Sequence, residues 1–308
     1  MPERISIWRG PTGIRAGWRI LFYFVLLVAF VVCSEAVTRA IFRGRQPDMN
    51  SPYVNAIYIA AYAAAVLLAG AGMAQIERRS LTEYGFPFRR AFGARFWQGF
   101  AIGLASLVFL LGVLRLIGVY SFGAIELHGT DALRYAAVWA AMVFLGAVVE
   151  EFLYRGYLQY TLSRAIGFWP AAFATSALMA AFHLFNPGWT WLGIATVAGF
   201  GLVACLLLQR SGDLWLPLGL HAAWNFGEAF LFGIPSSGQM GEGALRHGSF
   251  HGPAWITGMP FGVEAGWPNV VLMIVWWFAF SKWLPNVNYP PRAVAPETAA
   301  NSVAPELV

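Results

Sequence analysis

Apolar runs about as long as a lipid hydrocarbon layer is thick recur along this chain, and nothing constrains its fold more. Crossing roughly 30 Å of hydrocarbon takes about 20 mostly apolar residues in a helix. Eight stretches fit: Trp18 to Val37, Tyr53 to Ala74, Phe96 to Ile117, Leu133 to about Leu158, Phe168 to Phe185, Trp189 to Leu208, Leu214 to Phe232, and Asn269 to Leu284. The composition agrees, at 58% hydrophobic and 11% charged residues, against about 25% charged in an ordinary soluble domain. The expected fold class is an all-α polytopic membrane protein with about eight transmembrane helices.

The formal net charge of +5 does not point to nucleic acid, because the arginines cluster in short loops between apolar runs, where they report topology. Arg4, Arg9, Arg15 and Arg19 precede the first span, and Arg78, Arg79, Arg89, Arg90 and Arg95 fill the second connection. Both segments are therefore expected to be cytoplasmic, and an even number of spans returns the C-terminus to the same side. Arg39, Arg43 and Arg45 fall on the opposite side and weaken this bias without reversing it. The N-terminus mimics a signal peptide, but the apolar run from Ile20 to Cys33 is long, aromatic-rich and lacks a small-x-small cleavage site. It is expected to be an uncleaved first helix. Cys33 and Cys205 lie inside apolar runs and imply no disulfide framework.

The expected organisation is a cytoplasmic segment over 1–17, a helical bundle over 18–284 with a catalytic core at about 133–232, and a disordered tail over 285–308. The loop from Gly233 to Pro268, rich in Gly, Pro and Ser, is expected on the outer side as a linker. Trp18, Trp97, Trp169, Trp189 and Trp283 fit an interfacial aromatic belt.

Against this background a few polar residues stand out. A charged side chain near the bilayer centre costs roughly 2.5 to 3.5 kcal/mol on insertion scales, so such residues usually face an interior cavity and carry function. Glu150, Glu151, Arg155, His183, His221 and Asn225 are of this kind. In "VVEEFLYRGYLQY", Glu151 and Arg155 are i and i+4 and can pair, whereas Glu150 is turned by about 100° and has no ionic partner on its own helix. Tyr154 shares the Glu150 face and is expected to orient its carboxylate.

If the fourth and fifth spans form a hairpin turning at "RAIGFWP", Glu150 and His183 are equidistant from the turn and lie level with each other. Apolar character fades from Gln159 onward, which would place Glu150 about 13 Å from the point of emergence, near mid-membrane. On the seventh span His221 and Asn225 are i and i+4 and share a face; Glu228 is expected to be an interfacial residue one turn beyond.

A carboxylate, two histidines and an amide suit three chemistries. Glu150 and His183 can activate a water while His221 and Asn225 stabilise an oxyanion. Zinc hydrolysis would use His183, His221 and Glu150 as ligands. A proton relay for transport would use Glu150 and His183, although no matched pair of interrupted helices accompanies it. A non-catalytic membrane scaffold or immunity factor is the reading from another class.

"EEFLYRG" matches an E-E-x-x-x-R motif, His183 the second motif and "HAAWN" an H-x-x-x-N motif of the CPBP intramembrane proteases, a family similar to the type II CAAX prenyl endopeptidases and the bacterial Abi proteins. The resemblance covers Leu133 to Phe232, and it departs at one place, where Met179 stands at the aromatic position of F-x-x-x-H. It implies an all-helical intramembrane peptidase in which Glu150 and His183 activate water, His221 and Asn225 form an oxyanion site, and Glu151 and Arg155 fill the remaining motif positions. It also implies a glutamate-based mechanism with no cofactor, zinc being the alternative. The implied partners are the bilayer and a membrane-embedded or lipidated peptide. The short basic loops resemble those of a bacterial inner-membrane protein, which argues against a prenylated substrate.

Overall fold

The computed structural model describes residues 8–10, 13–45, 47–49 and 51–289. Most of the segments 1–17 and 285–308 therefore lie outside the described residues. Among those described, the long helices are α1 (Ala16–Ile41), α2 (Pro52–Glu77), α3 (Ala94–Leu116) and α4 (Gly129–Glu150), the last continuing through a π-helical stretch, Glu151–Leu158, into α5 (Gln159–Ile166). Then follow α6 (Phe168–Phe182), α7 (Trp191–Ser211), α8 (Trp215–Phe226) with a π-helical extension over Gly227–Phe232, the short α9 (Ala254–Thr257) and α10 (Trp267–Trp283). Strands are limited to two-residue pairs such as β3 (Tyr120–Ser121) with β4 (Ser249–Phe250). The protein is an all-α polytopic membrane protein.

Six of these helical passages are long and apolar enough to cross a membrane, the passage from Gly129 to Ile166 counting as one. The seventh and eighth expected spans form but are shorter: α8 has 12 residues before its π-helical extension, and α10 has 17. In α8 every residue from Trp215 to Trp224 is buried, so protein and not lipid surrounds it.

Small residues make that enclosure possible. A Cβ placed on Gly99 or Gly103 of α3 would stand 2.1 Å from the carbonyl oxygen of Leu216 or 2.4 Å from that of Leu220, and one on Gly219 would stand 2.1 Å from that of Phe96. Thus α3 and α8 touch backbone to backbone, the mode of helix association that small residues permit inside membranes. The start of α8 is pinned as well: Asp213 accepts the Trp215 N–H at 3.1 Å and an Arg90 N–H at 3.0 Å, and the Trp215 indole donates to the Pro87 carbonyl at 3.0 Å.

A polar knot ties the other side of the bundle. Glu77 at the end of α2 accepts from Arg19 of α1, from Tyr84 and from Tyr157 of the π-helical stretch, and Arg79 pairs with both Glu77 and Glu83. Charged groups at a helix end are thereby satisfied, and the π-helical stretch is fixed against α1 and α2.

Three expectations need correction. The helical passage that carries Glu150 does not end at Gln159. Gln159 and Thr161 are completely buried; Gln159 is satisfied internally, donating to Ser163 and to the Phe168 carbonyl and accepting from Thr175 at 2.9 Å. The passage ends at Ile166, with Gly167 at φ +90° making the turn into α6. Glu150 consequently lies up to about 24 Å of helix from that end, not about 13 Å. Secondly, the tail does not begin to stray at Pro285: the backbone N–H groups of Asn288 and Tyr289 donate to the Gln209 carbonyl at 2.8 and 3.1 Å, and Tyr289 is fully buried. Thirdly, the loop from Gly233 to Pro268 is no mere linker, because Ser237 and Glu264 on it help to line the cavity described next.

Candidate active site

The two adjacent glutamates have opposite environments. Glu150 ends α4 with about a third of its side chain accessible, whereas Glu151, which opens the π-helical stretch, is fully buried. As the spacing predicts, Arg155 donates to Glu151, at 3.3 Å, and both side chains are completely enclosed. Arg155 also approaches the Met179 sulfur at 3.0 Å. Room for the guanidinium comes from Gly201 of α7, where a Cβ would lie 2.8 Å from Arg155 Nη2.

Sequence spacing did not anticipate the second partner of Glu151. His221 Nδ1 lies 2.9 Å from Glu151 Oε1 and His221 Nε2 lies 4.0 Å from Glu150 Oε2. A carboxylate only accepts, so the proton of the first contact sits on Nδ1 and the ring's other nitrogen is turned to Glu150 and the cavity. Glu151 is therefore at once the counter-ion of Arg155 and the group that orients His221. Phe200 packs edge-on against the imidazole with ring centroids 5.0 Å apart.

His183 closes the last turn of α6. Its Nδ1 lies 2.9 Å from the Met179 carbonyl, which fixes the hydrogen on Nδ1 and leaves Nε2 as an acceptor. His183 is as far along the chain from the turn at Gly167 as Glu150 is, and both face one cavity.

That cavity spans about 520 Å³, the open space at its mouth included, and is lined by Glu150, His183, His221 and Asn225 together with apolar residues of α6, α7, α8 and α10 such as Met179, Val197, Phe200, Trp224 and Met273. Four polar candidates from three parts of the sequence thus converge on one space. Tyr154 does not join them. It is buried beside Met179 and Phe261, with Arg155 5.9 Å from its ring centre. Glu228, expected at an interface, is completely buried and lines the same cavity with Glu264. Burial holds the Glu264 carboxyl above the ordinary carboxylate range. Among the described residues, no three His, Cys, Asp or Glu side chains come together as a metal site would need.

Fold and site together define a class: a multi-pass membrane protein with a carboxylate–histidine cavity enclosed by its helices. Residues 132–227 match the sequence model of a family described as type II CAAX prenyl endopeptidase Rce1-like. The matched segment carries the three motifs and supports the likeness to the CPBP/CAAX protease family. Neither the curated proteins nor the solved structures include a match to the chain.

Proposed function

We propose that the protein is an intramembrane endopeptidase that hydrolyses a peptide bond of a membrane-embedded or lipidated peptide with water activated by Glu150 and His183. The observation that carries this is the convergence of Glu150, His183, His221 and Asn225 on a single cavity whose walls also include Val197, Phe200 and Trp276.

Between Glu150 Oε2 and His221 Nε2, 4.0 Å apart, one water can hydrogen-bond to both at about 2.8 Å. Glu150 takes a proton from that water as the oxygen attacks the scissile carbonyl. Asn225 Nδ2, one helical turn beyond His221, is placed to donate to the developing oxyanion, and His221 as an imidazolium offers it Nε2–H. The set Glu150, Glu151, Arg155 and His221 is then neutral: two carboxylates against one guanidinium and one imidazolium. His183, with Nε2 free, receives the proton and passes it to the leaving amine. Glu151 acts through His221 as a positioning residue. We further place the protein in a bacterial inner membrane with both termini in the cytoplasm, on the loop arginines described above.

Glu150→Gln preserves shape and removes the base. In proteoliposomes carrying a membrane-embedded peptide, the variant should fold normally and cleave slower by roughly 10²- to 10⁴-fold, the range a general base contributes. Unchanged cleavage would overturn Glu150 as the base, and absence of cleavage by the unaltered protein would favour a scaffold.

A further inference from the structure

The cavity continues beyond Asn225. The α8 face carrying His221 and Asn225 runs on to Glu228, and Glu264 and Asn269 approach the same end from the loop and from α10. Glu228 is fully buried and Asn269 is 5% exposed. No hydrogen bond reaches either oxygen of Glu228, Oε2 of Glu264 or Oδ1 of Asn269; the side chains of Glu264, Ser236 and Trp224 lie around Glu228. The remaining contacts fix the groups in place, since Ser237 N–H donates to Glu264 Oε1 and the Asn269 amide donates to the Glu264 carbonyl at 2.9 Å. Asn269 Oδ1 is thereby held as a leftover acceptor in a wall of the cavity. The two carboxyls lie close to each other.

Buried acceptors without donors suit a ligand made only of donors, and lysine ammonium and arginine guanidinium are the side-chain groups of that kind. Such a cation would offset the charge of the two neighbouring carboxyls. Glu228 is three residues past Asn225 and seven past His221, about 5 and 10 Å along the axis. An extended peptide advances about 3.3 Å per residue. Resting on the endopeptidase assignment, we propose that Glu228, Glu264 and Asn269 form a cation-accepting subsite, selecting substrates with a lysine or arginine within about three residues of the cleaved bond.

The test uses the full chain in detergent and a series of apolar peptides in which a single lysine is moved along the sequence, each paired with its norleucine counterpart. At one position the lysine peptide should bind at least tenfold tighter, and Glu228→Gln should bring that ratio below twofold, with Glu264→Gln doing the same should the first variant fail to fold. Equal binding of every pair, or a ratio indifferent to both substitutions, overturns the subsite. Calcium chloride abolishing the lysine preference while binding by itself in calorimetry also overturns it, in favour of an inorganic cation site. Cleavage of the same peptides separates the two assignments. Cleavage without lysine preference removes the subsite alone, whereas preference without cleavage supports it and removes the endopeptidase alone.

Discussion

Glu150 and Glu151 are neighbours in sequence and belong to different systems in space. Helical spacing was enough to pair Glu151 with Arg155, because i and i+4 contacts are a local property. The hydrogen bond from His221 was not legible, since it joins positions 70 residues apart and depends on how α8 is placed. Glu228 was misjudged for a related reason: hydropathy ranks a glutamate near a span end as interfacial and cannot see a loop folding over it. The dual engagement of Glu151 yields a divided prediction. Glu151→Gln keeps the packing and weakens the hold on His221, and should lower kcat by roughly 10²- to 10⁴-fold while KM changes little. Glu151→Ala strands a buried guanidinium and should cost about 3–5 kcal/mol, read as a fall in the thermal midpoint of purified protein.

At the level of helices, lengths and order follow from apolar runs, so the bundle was legible throughout. Where it went wrong, a polar residue was taken for a boundary. Gln159 looks like an exit from the membrane until Thr175, Ser163 and the Phe168 carbonyl are seen to satisfy it. The π-helical widening after Glu150 was likewise invisible, because no local pattern announces it. Close packing of α3 on α8 predicts sensitivity at a position remote from the chemistry. Gly103→Ala puts a methyl group against the Leu220 carbonyl, overpacking that should cost about 1–3 kcal/mol. Since Leu220 adjoins His221, activity should fall with stability, measurable by parallel melting and cleavage assays. Gly201→Ala presses on both Ser176 and Arg155, and its damage should be smaller, though not absent, when Arg155 is already replaced, a double-mutant comparison that isolates the Arg155 share.

For the molecule as a whole, hydropathy and loop arginines carried the most weight: the first gives an all-α membrane protein, the second an orientation. A fluorescent protein fused after Val308 should fold and fluoresce if that end is cytoplasmic; a dark fusion with an active periplasmic reporter at the same site would reverse the topology. Treatment with a strong chelator should leave cleavage unchanged, and loss restored by zinc would replace the water-activating scheme with a metal-dependent one. The separation of Glu151 from His221 also bears on biosynthesis. At about 5 to 20 residues per second, a ribosome takes several seconds to pass from one to the other, and α3 waits still longer for α8. During that interval the half-made chain holds Glu150 in the translocon without its imidazole. On the proposed scheme, a chain not yet extended to His221 lacks the imidazole that pairs with Glu151 and cannot complete the site.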